Sequence, residues 1–253
     1  MNKIKILGAK ISCIASYDEA YLELANLIKI GSPEYITVNN VHTITQSVLE
    51  NDYRNVLNNS VLSLPDGKPL SIIAKLKGEK NISRIFGPTF FEKTLEWGQK
   101  EELKHYFFGS SNETLLKMLN TIKHRYSSTL IAGSFTPPYR VFTSQENESF
   151  IKQMNESGAD IFWIGLGAPK QEIWIYENYK KLNRGVMIGI GAGFDYIAGN
   201  TKHAPEWMKN MSLEWLFRLV QEPKRLWKRY LVSNTLFLFF ITLEFLHLKK
   251  FNN

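Results

Sequence analysis

Cysteine is nearly absent from this 253-residue chain: Cys13 stands alone. One thiol permits no intramolecular disulfide and no cysteine-based zinc site, which fits a reducing compartment, and a lone Cys reads first as a small buried hydrophobe. The five histidines (42, 105, 124, 203 and 247) lack metal-ligand spacing, and there is no His-x-x-x-His or Asp-x-Asp element, so no protein-held metal is expected. The first residues, Met1 to Gly8, lack a long apolar core with a cleavage site, so no signal peptide is read. The longest greasy stretch, Thr235 to Leu248, is fourteen residues with Glu244 inside it. That is short of the roughly 20 residues needed to span a bilayer, which favours an interfacial helix over a spanning one; a helix packed on the core competes with both. No internal repeat, low-complexity segment or nucleic-acid recognition motif accompanies these absences, so nucleic acid is not an expected partner.

What is present is an ordinary globular composition, 44% hydrophobic and 22% charged, with a formal net charge of +7. The charge is uneven. Residues 202–253 hold nine Lys or Arg against four Glu, interleaved with Trp, Phe and Leu. This pattern suggests a surface that meets an anionic membrane while the rest of the chain does chemistry. The apolar tail fits equally a helix buried against a second copy in a homo-oligomer. Upstream, short apolar runs at 35–39, 61–64, 106–109, 128–133, 160–165 and 185–190 alternate with helical stretches through Gln46 and Leu49, over 69–77, and over 89–102 after Pro88. The alternation predicts an α/β fold: an open, mostly parallel, Rossmann-like sheet with helices on both faces, ligands meeting the carboxyl ends of the strands. The composition shifts near Gly199, predicting a catalytic domain over 1–199 and a basic helical appendage over 200–253.

Polar residues at the predicted strand ends carry two readings each. Thr37 and Asn39, in Thr37-Val38-Asn39-Asn40, suit a ligand's hydroxyls or amides, yet asparagine also simply ends strands. Asp66, in Pro65-Asp66-Gly67, is a common turn residue, and at the mouth of a sheet also a carboxylate able to accept a hydroxyl proton. Gly165-Leu-Gly-Ala-Pro-Lys170-Gln171-Glu172 offers a helix N-terminus and Lys170 to a phosphate, or only a tight turn. Asp195, after Gly189-Ile-Gly-Ala-Gly193, either binds a sugar hydroxyl or caps a turn. Arg84 suits an anion or solvent. In the tail, helical spacing sets Arg218, Arg225 and Arg229 at offsets of seven and four, roughly on one face.

In their order along the chain these segments resemble the WecG/TagA/CpsF family of bacterial glycosyltransferases. The resemblance rests on Thr37-Val-Asn-Asn40, Pro65-Asp-Gly67, Arg84-Ile-Phe-Gly87, Phe108-Gly109, Gly167-Ala-Pro-Lys-Gln-Glu172, Gly189 through Gly199, Ala204-Pro205, Glu214-Trp215, Arg218, Glu222-Pro223 and Arg229-Tyr230. It implies transfer of an N-acetylmannosamine-type sugar, or its uronic acid, from UDP to a polyprenyl-diphosphate-linked sugar in polysaccharide or teichoic acid synthesis. It further implies inversion, no essential metal or other cofactor, and a C-terminal appendage holding a peripheral enzyme on the cytoplasmic face of the plasma membrane. Under it, Asp66 is the catalytic base, Thr37, Asn39, Arg84, Gln171 and Asp195 line the pocket, and Lys170, Arg218, Arg225 and Arg229 meet diphosphate or lipid. The chain departs from the family at Thr89, where an acidic residue is frequent, and at His203, where arginine is usual. Two other classes stay open: a non-catalytic membrane-bound scaffold of a polysaccharide assembly complex, and a nucleotide-cofactor oxidoreductase, the latter weakened by the missing Gly-x-Gly-x-x-Gly spacing.

Overall fold

The computed structural model describes residues 1–211 and 213–251. The chain begins with an antiparallel hairpin absent from the sequence reading, β1 (Lys3–Ile6) and β2 (Ala9–Ser12). Its turn is Leu7-Gly8, both residues at positive φ (51° and 83°), as a two-residue hairpin loop requires. Neither Asn-Gly nor Asp-Gly marks that turn, so no local signal announces it.

The rest alternates. Helix α1 (Tyr17–Ile30) starts at the Ser16 cap and stops at Gly31 in the left-handed region. Next come β3 (Glu34–Asn39), α2 (Val41–Leu49), α3 (Asn51–Asn58), β4 (Leu62–Pro65), α4 (Lys68–Leu76) and α5 (Gly87–Gly98). Then follow β5 (Lys104–Gly109), α6 (Asn112–Arg125), β6 (Leu130–Phe135), α7 (Ser144–Ser157), β7 (Ile161–Gly165), α8 (Lys170–Asn178) and β8 (Val186–Gly189). Six strands form one parallel sheet in the order β4-β3-β8-β7-β5-β6. The predicted parallel α/β sheet is therefore present, with each strand close to its expected place.

Side-chain alternation assigns the two faces. Ile36, Phe107, Ile161, Trp163, Val186 and Ile188 join the core under α1, α5 and α6. Their neighbours Tyr35, Tyr106, Phe108, Phe162, Ile164 and Met187 join the core on the opposite face, with α7 and α8. A third cluster gathers the hairpin, α2, α3 and α4 at the β4 edge.

Four helices complete the chain: α9 (Gly193–Ile197), α10 (Glu206–Asn210), α11 (Glu214–Gln221) and α12 (Pro223–Phe245). The single helical face expected for the tail arginines is corrected here: Arg218 lies on α11, while Arg225 and Arg229 lie on α12. Pro223, lacking an N–H and restricting the residue before it, ends one helix and opens the next. Helix α12 packs along α2 and buries Phe237 and Phe240 in the third cluster, with Phe251 beside them. Lys77 on the body pairs with Glu244 at 2.7 Å. The outer side of α12 stays exposed at Trp227, Leu231, Leu238 and Phe245. Among the described residues, no helix is long and apolar enough to cross a membrane.

Candidate active site

The carboxyl ends of β3 and β4 are tied together before any side chain is considered. The backbone N–H groups of Asp66 and Gly67 both donate to the Asn39 carbonyl, at 2.8 and 3.3 Å, folding the Pro65-Asp66-Gly67 turn over the end of β3. This places the Asp66 carboxylate at the N-terminus of α5, where Oδ1 accepts from the Gly87 N–H at 2.8 Å. A carboxylate is favoured at that end of a helix. Among the described residues, its second oxygen, Oδ2, accepts at most a long hydrogen bond from the Asn40 amide, at 3.5 Å. One oxygen is anchored and the other is nearly uncommitted, an arrangement suited to accepting a proton.

Beneath it, Thr37 and Asn39 belong to a buried polar chain. The Asn39 Nδ2 donates to Thr37 Oγ1 (2.9 Å) and Ser63 Oγ (2.7 Å), and Thr37 Oγ1 donates to Ser60 Oγ (3.1 Å). Asn39 Oδ1, fully buried, has no hydrogen-bond partner among the described residues. A buried acceptor left so costs about 1–3 kcal/mol, which a ligand's N–H or O–H would recover.

Arg84 does not face outward. Its Nε donates to the Asp66 carbonyl at 2.6 Å, its Nη2 lies 2.5 Å from Glu214 on α11, and its guanidinium covers the Phe86 ring at 4.5 Å. Burial works against its charge, but the carboxylates of Asp66 and Glu214 outweigh burial and hold its proton more tightly than usual. Arg84 thus joins the Asp66 turn to the C-terminal helices.

Across the sheet, Gln171 opens α8 and is buried. Its Oε1 accepts from the N–H groups of Gly167 (3.1 Å) and Gly191 (3.0 Å), so one amide oxygen pins both glycine-rich turns. Gln171 Nε2 donates to Glu172 Oε1 at 2.7 Å, which fixes the amide's orientation. Glu172 is itself buried, with Tyr53 Oη 3.3 Å from its other oxygen. Burial raises the Glu172 carboxyl above its usual range despite those donors and the Arg229 charge. The Gly167 N–H is therefore occupied by the protein's own amide. Lys170 lies away from this hub, exposed, its ammonium over the Tyr139 ring at 5.4 Å. Asp195 lies inside α9 and closes the turn that follows it: Oδ1 accepts from Asn200 at 3.3 Å, and its carbonyl accepts the N–H groups of Asn200 and Thr201.

The third wall comes from the C-terminal helices. Arg218 stacks on Tyr196 at 5.6 Å and approaches Glu222 at 3.5 Å; Arg225 pairs with Glu222 at 2.5 Å. Burial lowers the Arg229 guanidinium's hold on its proton, repulsion from Arg218 and Arg225 adds to this, and Tyr230 and Glu172 oppose it. The Nε atoms of Arg218 and Arg229 are buried without a partner among the described residues. Arg218, Arg229 and Asp66 all act on the phenol of Tyr230, so the arginines and the carboxylate share one neighbourhood. Among the described residues, no three His, Cys, Asp or Glu side chains converge as a metal cage.

Between β7 and β5 the connections leaving the two strands run in opposite directions, toward β8 and β6 respectively, the switch in strand order at which open parallel sheets take their ligands. Both strands end in glycine there, and a Cβ on Gly109 (φ +129°) would sit 2.5 Å from the Gly165 carbonyl oxygen. Residues 4–251 match the glycosyl transferase WecG/TagA/CpsF family. The chain belongs to that family. Its membership makes the protein a glycosyltransferase and removes the oxidoreductase reading. The chain is 32% identical over 204 residues, 80% of its length and 76% of the relative's, to an N-acetylglucosaminyldiphosphoundecaprenol N-acetyl-beta-D-mannosaminyltransferase of Bacillus subtilis (strain 168). It is 28% identical over 179 residues (71% and 67%) to the protein of the same name from Bacillus spizizenii (strain ATCC 23059 / NRRL B-14472 / W23).

Sequence reasoning passed over Glu172 except as a motif letter, and missed Glu214 as Arg84's partner, His42 and Tyr196. Glu172 had a signal, a carboxylate at an i position of an otherwise apolar helical face. The others had none, because their partners lie far along the chain.

Proposed function

We propose that this glycosyltransferase moves an N-acetylmannosamine-type sugar, or its uronic acid, from UDP to a polyprenyl-diphosphate-linked sugar, with inversion and without a metal. The names of the two relatives support the sugar and the diphosphate-lipid acceptor. The observation that carries the mechanism is Asp66, one oxygen anchored and one nearly free, facing a wall of arginines.

In this reading Asp66 Oδ2 takes the proton of the acceptor hydroxyl as its oxygen bonds to the anomeric carbon. The bond to the UDP phosphate oxygen breaks on the opposite face, and UDP leaves with the electron pair. A positioned carboxylate contributes ~10²–10⁴-fold to such a step. The Asn39 Oδ1 and Thr37 meet sugar polar groups, and Gln171 shapes the pocket by holding the two glycine turns. The nucleotide lies over the Gly109 and Gly165 strand ends. Arg218, Arg225 and Arg229 stabilise the diphosphate charge, the term on which a metal-free site depends most. Residues 200–253 then act as one appendage that closes the pocket and brings it to the lipid acceptor.

The exposed stripe Trp227, Leu231, Leu238 and Phe245 repeats at helical spacing and is flanked by exposed Lys224, Arg225 and Lys228. We read it as the face that lies on the anionic inner leaflet. The decisive experiment measures UDP release from a panel of UDP-sugars, with and without a GlcNAc-diphosphate-lipid acceptor and with a chelator present. Acceptor-dependent, chelator-resistant release from an N-acetylmannosamine-type donor is the expected result. No release from any donor by folded protein, with several acceptors tried, would refute the transferase reading in favour of a scaffold.

A further inference from the structure

Tyr196 is only 4% exposed, yet its hydroxyl has no hydrogen-bond partner among the described residues. The ring is locked from three sides: Phe86 edge-on at 5.6 Å, His203 at 4.7 Å and the Arg218 guanidinium at 5.6 Å. The direction of the hydroxyl is therefore fixed by packing. The charged groups that act on it are Arg218, Glu214 and Asp66, with Tyr230 beside them. Glu214 is committed to Arg84, and the anchored oxygen of Asp66 to Gly87. A buried donor in this position is costly unless something arrives to accept from it.

We infer that Tyr196 is a further substrate-contacting residue, its Oη–H donating to a phosphate oxygen of the diphosphate drawn in by Arg218. Phenol and guanidinium then form a two-pronged clamp: the cation supplies charge, and the neutral donor supplies direction. Burial holds the phenol's pKa well above its usual range, so it keeps its proton beside the carboxylates and remains a donor. The inference rests on the transferase reading above. Either the acceptor's diphosphate or that of UDP presents the same oxygen chemistry.

Tyr196→Phe tests it, because it removes one oxygen and leaves the ring packing intact. If the hydroxyl serves only substrate, its loss leaves Tm unchanged or raises it, while kcat/KM falls roughly 10-fold or more. A rise in acceptor KM with UDP affinity preserved in calorimetry assigns the acceptor diphosphate; weaker UDP binding assigns the donor's. Unchanged kinetics in both substrates overturn the inference, as does a Tm drop of several degrees, which would reveal an internal partner. A wild-type chain that transfers no sugar overturns the proposed function, and this inference with it. An active wild type with an equally active Tyr196→Phe overturns the inference alone.

Discussion

Asp66 shows how much one residue owes to its immediate backbone. The Pro-Asp-Gly turn is legible in sequence, but the division of labour between its two carboxylate oxygens needs Gly87 and Asn40, 21 and 26 residues away. Asp66→Asn keeps the size and the contact to Gly87 while removing the base. We expect turnover to fall by about 10² or more with folding and UDP affinity retained; wild-type-like kinetics in a well-folded variant would sink the assignment. Glu172 yields a second expectation at this scale. With Glu172→Gln the Gln171 amide loses its charged acceptor, freeing it to flip and release both glycine turns. The variant should show a raised KM for the UDP-sugar, measured by initial rates, with a lesser change in kcat. His203 and Thr89, the two departures from the family, differ in how the structure accounts for them. His203 packs on Tyr196 and sits 3.5 Å from Glu92, a structural place of its own. Thr89, in the first turn of α5, hydrogen-bonds the phenol of Tyr17 on α1.

At the scale of elements, α12 is the informative case. Its sequence read as a greasy basic tail, and the length argument against a membrane span needed nothing more. A helix packed on the core was one of the open readings, but which side it buries was not legible, because the residues it covers come from the hairpin, α2 and α4, all more than 140 positions earlier. Thr45 Oγ1 donates to the Ser233 carbonyl at 3.1 Å, and His42 Nδ1 and Ser233 Oγ are 2.9 Å apart, so polar contacts fix the docking as well as grease. The two sides of the helix make opposite predictions. Phe237→Ala should cost about 3 kcal/mol of stability by chemical denaturation, since it opens a cavity in the core. Trp227→Ser with Leu238→Ser, both on the exposed stripe, should leave Tm nearly unchanged and reduce sedimentation with anionic vesicles. If vesicle binding is untouched by the paired change, the membrane-facing assignment of this side fails.

For the molecule as a whole, stability depends on pH through histidines taken out of water. His105 is fully buried and its Nδ1 accepts from Trp163 Nε1 at 3.0 Å; burial lowers its pKa from 6.5 to about 3. His42 is lowered from 6.5 to about 4, by burial first and then by the Arg229 charge. Both are depressed, so the unfolded chain binds protons that the folded chain refuses. Their contribution is complete above pH 6.5 and is lost as pH falls through about 4 for His42 and about 3 for His105. Glu172, raised by burial, has the opposite sign: its contribution is greatest at low pH and is lost as pH rises through its folded value. With two groups against one, Tm should fall on acidification between pH 6.5 and 4, and His42→Asn should flatten that fall in a series of thermal melts. An unchanged slope in His42→Asn would show that His42 titrates normally.

Sequence alone determined the parallel α/β sheet and the family, because each is written in short-range patterns. Short apolar runs, glycines after strands and ordered motifs are local, and they are read without knowing where the chain goes next. Tertiary structure alone decided that Arg84 spends its charge on Glu214, that a break at Pro223 splits the tail arginines between two helices, and that Gln171 ties two glycine turns to a buried acid. It also decided that, among the described residues, a tyrosine hydroxyl is left without a partner beside Asp66 and Arg218. These are contacts between segments distant along the chain. They are settled by packing and by the requirement that buried polar groups find partners, and neither is visible in a local pattern.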